Sequence, residues 1–136
     1  MEEDSVRWSD DYSVGFEIID NQHKELVRMT NVLFDGCKKD SAVADEVFMQ
    51  TIRRAIEYAQ THFYTEEKYM KQVDYPDIVA HKHEHDKFVS TVKKAVMDFE
   101  AGNSEPIVLA RFLKNWLLTH IAESDKKYSP YLTQFK

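Results

Sequence analysis

The stretch AHKHEHDKF, residues 80–88, sets His81, His83 and His85 at alternate positions in a chain with only six histidines among 136 residues. Such a cluster could ligate a metal, switch with pH or simply decorate a solvated helix face. Helical geometry divides the three. His81 and His85 are four residues apart and differ by ~40° around a helix, whereas His83 lies about 200° from each and faces solvent. The other histidines repeat the inward placement: His23 leads into Leu26, Val27 and Thr30; His62 follows Ile52, Ala55 and Ala59; His120 follows Phe112, Leu113 and Trp116. In each case an imidazole stands where the apolar stripe calls for a hydrophobic side chain.

One histidine on an apolar stripe is ordinarily a hydrogen-bonded core residue. Five from four helices are different, because each buried imidazole nitrogen left unpaired costs about 1–3 kcal/mol. A metal centre removes that cost. Glu66, four residues after His62, shares its inward face, whereas Glu67 is rotated away by about 100°. Near His120, helical spacing prefers Glu123 over Asp125 and leaves that choice open. Five imidazoles, one or two carboxylates and no thiolate exceed what one tetrahedral zinc needs and suit two six-coordinate ions bridged by carboxylates. Nitrogen and oxygen ligands without sulfur suit iron first, then manganese or zinc. The pattern is neither HExxH nor ferritin-like, since Lys82 follows His81 and no glutamate stands three residues before a histidine.

Four helices can converge these groups. Asp20 is a plausible N-cap for a first helix to about Cys37, striped by Leu26, Val27, Thr30, Leu33, Phe34 and Cys37. Ser41 can cap a second helix, from about Ala42 to Gln72, with Val47, Phe48, Thr51, Ile52, Ala55, Ala59, Phe63 and Met70 on one side. Tyr75-Pro76 marks a turn into a third helix that ends near Phe99 and carries Ile78, Phe88, Val92, Val96 and Phe99. Gly102 and Asn103 stop it, and Pro106 opens a fourth, striped by Val108, Leu109, Phe112, Leu113, Trp116, Leu117 and Ile121, that ends near Asp125. The expected fold is all-α: an antiparallel up-down-up-down four-helix bundle in one domain, 1–136. It divides into an extended N-terminal arm at 1–19, the bundle at 20–125 and a tail at 126–136.

Composition narrows the function. A net charge of -6 argues against a nucleic-acid surface, and the longest apolar runs, such as NWLLTHI, are too short to span a membrane. MEEDSVRWSDD lacks the apolar core of a signal peptide, and a single cysteine, Cys37, suits a reducing compartment, by default the cytoplasm. Cys37 reads as a small buried residue and Met70 as core. Tyr75 and Tyr128 stand near helix ends, from which they could reach toward the site.

The segments WSDDYSVGFEIIDNQH (8–23), HFYTEE (62–67), HKHEH (81–85) and HIAESD (120–125) together resemble the hemerythrins, in particular the bacterial hemerythrin-like proteins, over nearly the whole chain. The resemblance implies that Asp125, not Glu123, is the second carboxylate, so that the fourth helix ends or bends just before it. It implies two iron ions, ferrous or ferric, with an oxo or hydroxo bridge. His81, His85 and His120 would hold one and His23 and His62 the other, with Glu66 and Asp125 spanning both. It further implies reversible dioxygen binding, with O2 as the ligand and no side chain acting as acid or base. Leu26, Phe63, Trp116, Leu117 and Ile121 are adjacent to ligand positions or one turn away, and are expected to wall the O2 pocket. An oxygen carrier or store, not an enzyme, is the leading expectation. A module sensing O2, redox state or NO comes second and a di-iron oxidase or peroxidase third, since histidine-rich sites favour binding over O–O cleavage.

Overall fold

A computed structural model describes residues 6–36, 42–103 and 105–135. Helices α1 (Glu17–Gly36), α2 (Ala42–Gln72), α3 (Ile78–Glu100) and α4 (Pro106–Thr119) form the bundle. A π-helical turn, His120–Asp125, joins α4 to a short helix α5 (Lys126–Tyr128) and a 3-10 segment, Ser129–Phe135. Among the described residues there is no strand, and no helix is long and apolar enough to cross a membrane. Cys37 and Ser41 lie outside the described residues.

The helix ends follow from local chemistry. At the end of α2, Tyr75 N–H donates to the Met70 carbonyl (2.9 Å) and Asp74 N–H to that of Lys71 (3.2 Å). This is a Schellman closure with Asp74 in the left-handed region, φ 54°. It folds Tyr75 back against Met70, and both side chains are buried. The same closure ends α3, where Asn103 N–H donates to the Asp98 carbonyl (2.9 Å) and Gly102 takes φ 81°. That angle is why glycine stands there. Pro106 occupies the first turn of α4, where its missing N–H costs nothing.

The first helix starts three residues before Asp20, the expected cap. Asp20 instead lies inside the first turn and accepts from Val14 N–H (2.8 Å) and Ser13 Oγ–H (2.5 Å). It therefore ties the arm to the helix. Asn31 ties the arm further up, accepting from Val6 N–H (2.7 Å) and donating to its carbonyl (2.8 Å). The expected tail is also helical, with Tyr128 and Leu132 fully buried and Ser129 Oγ–H donating to the Val14 carbonyl (2.7 Å).

Two apolar clusters result. One is built on Leu33, Ile52, Phe88, Val92, Leu109 and their neighbours; the other, at the opposite end, on Val14, Ile19, Met70, Tyr75, Tyr128 and Leu132. Val47 and Val108, expected on the stripes, are instead more than half exposed (54% and 58%). Each sits immediately beside a buried residue, Phe48 or Leu109, and one step of ~100° turns it to solvent.

Candidate metal centre

Between the two apolar clusters lies a buried polar layer. His23 enters it from α1, His62 and Glu66 from α2, His81 and His85 from α3, and His120 and Asp125 from the π-helical turn; all are at most 3% exposed. His83 faces solvent. The donor atoms fall into two overlapping groups, each with its members within 4.8 Å of one another: Glu66, His81, His85, His120 and Asp125, and His23, His62, Glu66 and Asp125. Glu66 and Asp125 belong to both. Glu123, the residue that α-helical spacing favours, is exposed. The π-turn is the reason. Its hydrogen bonds run from i to i+5, so one turn takes about five residues and brings Asp125 under His120.

The donor atoms within this layer lie close enough together to hold a metal ion. His23 Nε2 is 2.8 Å from Asp125 Oδ2, and His81 and His120 Nε2 are 3.1 and 3.0 Å from Asp125 Oδ1. His62 and His85 Nε2 are each 3.2 Å from Glu66 Oε1. Despite these distances, His23 Nε2, His62 Nε2, His81 Nε2, Glu66 Oε1 and both Asp125 oxygens form no aligned hydrogen bond. Convergence without hydrogen bonding is what a shared cation resolves.

The outer ring nitrogens fix the tautomers. His62 Nδ1 lies 2.7 Å from the Gln22 amide oxygen, an acceptor whose own amide nitrogen donates to Thr65 Oγ1 (3.4 Å). His85 Nδ1 lies 2.8 Å from Glu67 Oε2. Each must therefore carry its proton outward, so Nε2 presents a lone pair inward. The Nε2 atoms of His85 and His120 are 3.0 Å apart. His120 Nδ1 is 3.9 Å from Glu84 Oε1, which Ser124 Oγ–H holds at 2.7 Å. Phe63 stacks on His85 (3.9 Å, 7°) and Trp116 on His120 (4.4 Å, 14°), fixing the ring planes. Gln22, Glu67, Glu84 and Ser124 are functional candidates that spacing did not identify. The signal available was their position beside a ligand in sequence or one turn from one, together with the rule that a metal-bound imidazole donates its other N–H. Alanine at Glu67 is expected to weaken metal binding about 10–100-fold. Competition with a chelator measures this, and an unchanged affinity would show that His85 needs no anchor.

Tyr128, placed in the expected tail, reaches the site. Its O–H donates to Glu66 Oε2 in a short, fully buried hydrogen bond. The tyrosine ring lies 5.4 Å from that of His81 and 6.0 Å from that of Tyr75.

Electrostatics point the same way. Burial opposes ionisation of Glu66, but His62, His120 and His85 outweigh it and hold the carboxyl well below the usual range. Burial and Glu66 both oppose ionisation of Asp125, yet His120 and His23 keep it low. Burial alone would depress His120, but Asp125 and Glu66 push it up to about 10. For His62 burial prevails over Glu66, and its basicity falls. Thus in the metal-free protein the proton on His120 supplies part of the positive charge that the two carboxylates require. Stability from His120 is complete below its ordinary value of 6.5 and is lost as pH rises through about 10. Stability from the depressed carboxylates is present above about 4.5 and is lost on acidification. His62, kept neutral, adds to the loss on the acid side. The metal-free protein is therefore expected to melt at falling temperature from pH 7 toward 10, while the metal-loaded form shows little change. Parallel thermal melts test this.

A small cavity of about 30 Å³ adjoins the layer on its apolar side, lined by Leu26, Phe63, Trp116, Leu117 and Ile121, the five expected pocket residues, among others. Its polar lining is His23, His62, His120, Asp125 and Thr30; Glu66, His81 and His85 do not reach it. Both histidines of the smaller donor group thus line the cavity, against one of the three in the larger group. Room for one water takes about 10–15 Å³, so a molecule of two heavy atoms is the natural scale.

Residues 14–132 match the family described as the hemerythrin HHE cation binding domain. The chain is 36% identical over 122 residues to a bacteriohemerythrin of Pseudomonas paraeruginosa, covering 89% of this chain and 77% of that protein. It is 37% identical to the bacteriohemerythrin of Methylococcus capsulatus, with 89% of each covered. A crystal structure of wild-type hemerythrin superposes with a TM-score of 0.85 at 32% identity, covering 94% of this chain and 98% of that one.

Proposed function

Given that the chain belongs to the hemerythrin family, we propose that it binds dioxygen reversibly at a di-iron centre, as a carrier or store and not as an enzyme. The whole chain would act as one domain in the cytoplasm, the compartment that its single cysteine suits. His81, His85 and His120 would hold one iron and His23 and His62 the other, with Glu66 and Asp125 common to both. Iron, when bound, supplies the electrons that make dioxygen a firmly held yet releasable ligand.

The observation that carries this reading is the small apolar cavity on the side of the donor-poor group. A position with two histidines would keep coordination free, and a cavity of about 30 Å³ suits a diatomic molecule. The remaining tasks fall to the protein. Leu26, Phe63, Trp116, Leu117 and Ile121 keep water out. The Tyr128 hydroxyl orients Glu66 by donating to its Oε2. Gln22 and Glu67 hold His62 and His85 with their lone pairs inward. Every titratable group lining the cavity is itself a proposed ligand, which suits binding without proton transfer to a side chain.

The test is anaerobic reduction of metal-analysed protein, admission of O2 and purging, followed in the visible spectrum. Two irons per chain with a charge-transfer band that appears with O2 and vanishes on purging is the expected result. Direct, irreversible passage to the ferric form would favour redox sensing or oxidase chemistry, and zinc or an empty centre would sink the iron assignment.

A further inference from the structure

The same site carries a second feature, on the face between α2 and α3. Two clefts of about 510 and 260 Å³ run end to end there, sharing Tyr64 and Glu67. The larger is flanked by Lys68 and Lys71 from α2 and Lys82 from α3. The floor of the smaller includes Phe63 and His85. Glu67, at the junction, is 23% exposed and bonds His85 Nδ1 at 2.8 Å. This surface therefore reaches a proposed ligand, both directly at the floor of the smaller cleft and through Glu67.

The chemistry of the surface is that of a protein contact. Tyr64 is 71% exposed, and Val79, next in sequence to Ile78 of the larger cleft, is 78% exposed, more than any other large hydrophobic side chain among the described residues. Exposed tyrosine beside apolar side chains is what anchors protein interfaces. All three lysines are exposed, and none is ion-paired among the described residues; Lys68 Nζ only rests over the Tyr69 ring at 5.8 Å. Glu67, the one carboxylate shared by the two clefts, is turned inward to His85, and Asp86 lies in the smaller cleft. On a chain of net charge -6, this leaves a local positive cluster around an apolar anchor.

We propose that this α2–α3 groove is the docking surface for an acidic one-electron carrier protein, with Glu67 and His85 the route by which its electrons reach the centre. The proposal rests on the di-iron reading above. Any oxygen-binding iron centre that slips to the ferric state is inactive until reduced, and a small apolar pocket is too narrow for a protein reductant to enter from the O2 side. Delivery through a ligand's outer nitrogen avoids that pocket. Each docking transfers one electron and releases the oxidised carrier, so two dockings return both irons to the ferrous state. Lysines around the groove would steer an acidic partner, an effect that accelerates association by 10–10³-fold and fades with salt.

The test uses iron-loaded, diferric protein and a reduced acidic [2Fe–2S] ferredoxin as the probe. The double reversal Lys68→Glu/Lys71→Glu is compared with Lys93→Glu/Lys94→Glu, which makes the same charge change at exposed positions farther along α3. In the groove variant the second-order reduction rate at low salt is expected to fall at least tenfold and to converge with the unmodified protein at high salt. Calorimetric binding of oxidised ferredoxin should weaken in parallel. The control pair should change either quantity by less than twofold. Equal losses in both variants, no loss in the groove variant, or no binding by the unmodified protein would overturn the proposal. Dithionite-reduced samples, assayed for O2 binding alongside, keep the two questions apart: failure there removes the carrier reading, while the docking constants stand or fall separately.

Discussion

Glu66→Ala is expected to yield a folded protein that no longer retains two metal ions per chain. The carboxylate belongs to both donor groups, so its removal takes a ligand from each. It also leaves His62 and His85 Nε2, each 3.2 Å from Glu66 Oε1, facing a void. A second loss is independent of metal. The fully buried Tyr128 hydroxyl loses its acceptor, which costs about 1–3 kcal/mol. Glu66→Gln separates the two effects, because the amide oxygen still accepts from Tyr128 while the neutral group bridges cations poorly. The glutamine variant should therefore melt above the alanine variant in the metal-free form and yet share its metal loss. Elemental analysis with thermal melts of the metal-free forms reads both. Two tightly held irons in Glu66→Ala would remove the shared-carboxylate assignment, whatever the melting temperature.

The case of Glu66 also shows which parts of this site are legible from sequence. Glu66 and the five buried histidines interrupt apolar stripes at α-helical spacing, and a polar residue inside a hydrophobic pattern is visible before any fold is known. Asp125 is not visible in this way. Its position depends on a π-turn, a departure from 3.6 periodicity that spacing cannot announce, so α-helical spacing points to the exposed Glu123. The bend that the hemerythrin resemblance implied lies at His120–Asp125. For Tyr128 the sequence shows only that it could reach toward the site, for a related reason. Residues 126–136 read as a tail, yet Pro130 sits in a 3-10 segment, and the spacing Ile121, Tyr128, Leu132 continues a buried face through it. Asp20 looks like a cap because its type is right; which backbone N–H a carboxylate accepts from depends on where the preceding arm runs. The neighbours Gln22 and Glu67 point to histidines on other segments or helices, and such contacts are set by bundle assembly and not by local pattern.

Trp116→Ala is expected to shorten the life of the oxygenated protein about tenfold, which corresponds to roughly 1.4 kcal/mol of barrier. Trp116 is half-buried, with one face against His120, and it lies 4.1 Å from Phe88 and 5.6 Å from Phe63 between ring centroids. It therefore closes the cavity against solvent while holding a proposed ligand in plane. Truncation would widen the access to a cavity of about 30 Å³ and admit more water beside the donor-poor position. Water there hydrates a departing anion and favours oxidation of the centre over simple release of O2. The substitution also costs stability, up to about 3–5 kcal/mol for a buried tryptophan, and a looser protein could oxidise faster for that reason alone. Val92→Ala addresses this. Val92 is fully buried in the same apolar cluster but does not line the cavity, so it lowers stability without breaching the wall. Autoxidation, timed as decay of the charge-transfer band, should quicken in Trp116→Ala and stay near the unmodified rate in Val92→Ala. Trp116→Phe, which restores a ring against His120 with less bulk, should fall between. Equal acceleration in the tryptophan and valine variants would make the wall a matter of global stability, whereas an unchanged rate in Trp116→Ala would move the water barrier elsewhere, to Phe63 and Leu117 on the other sides of the cavity.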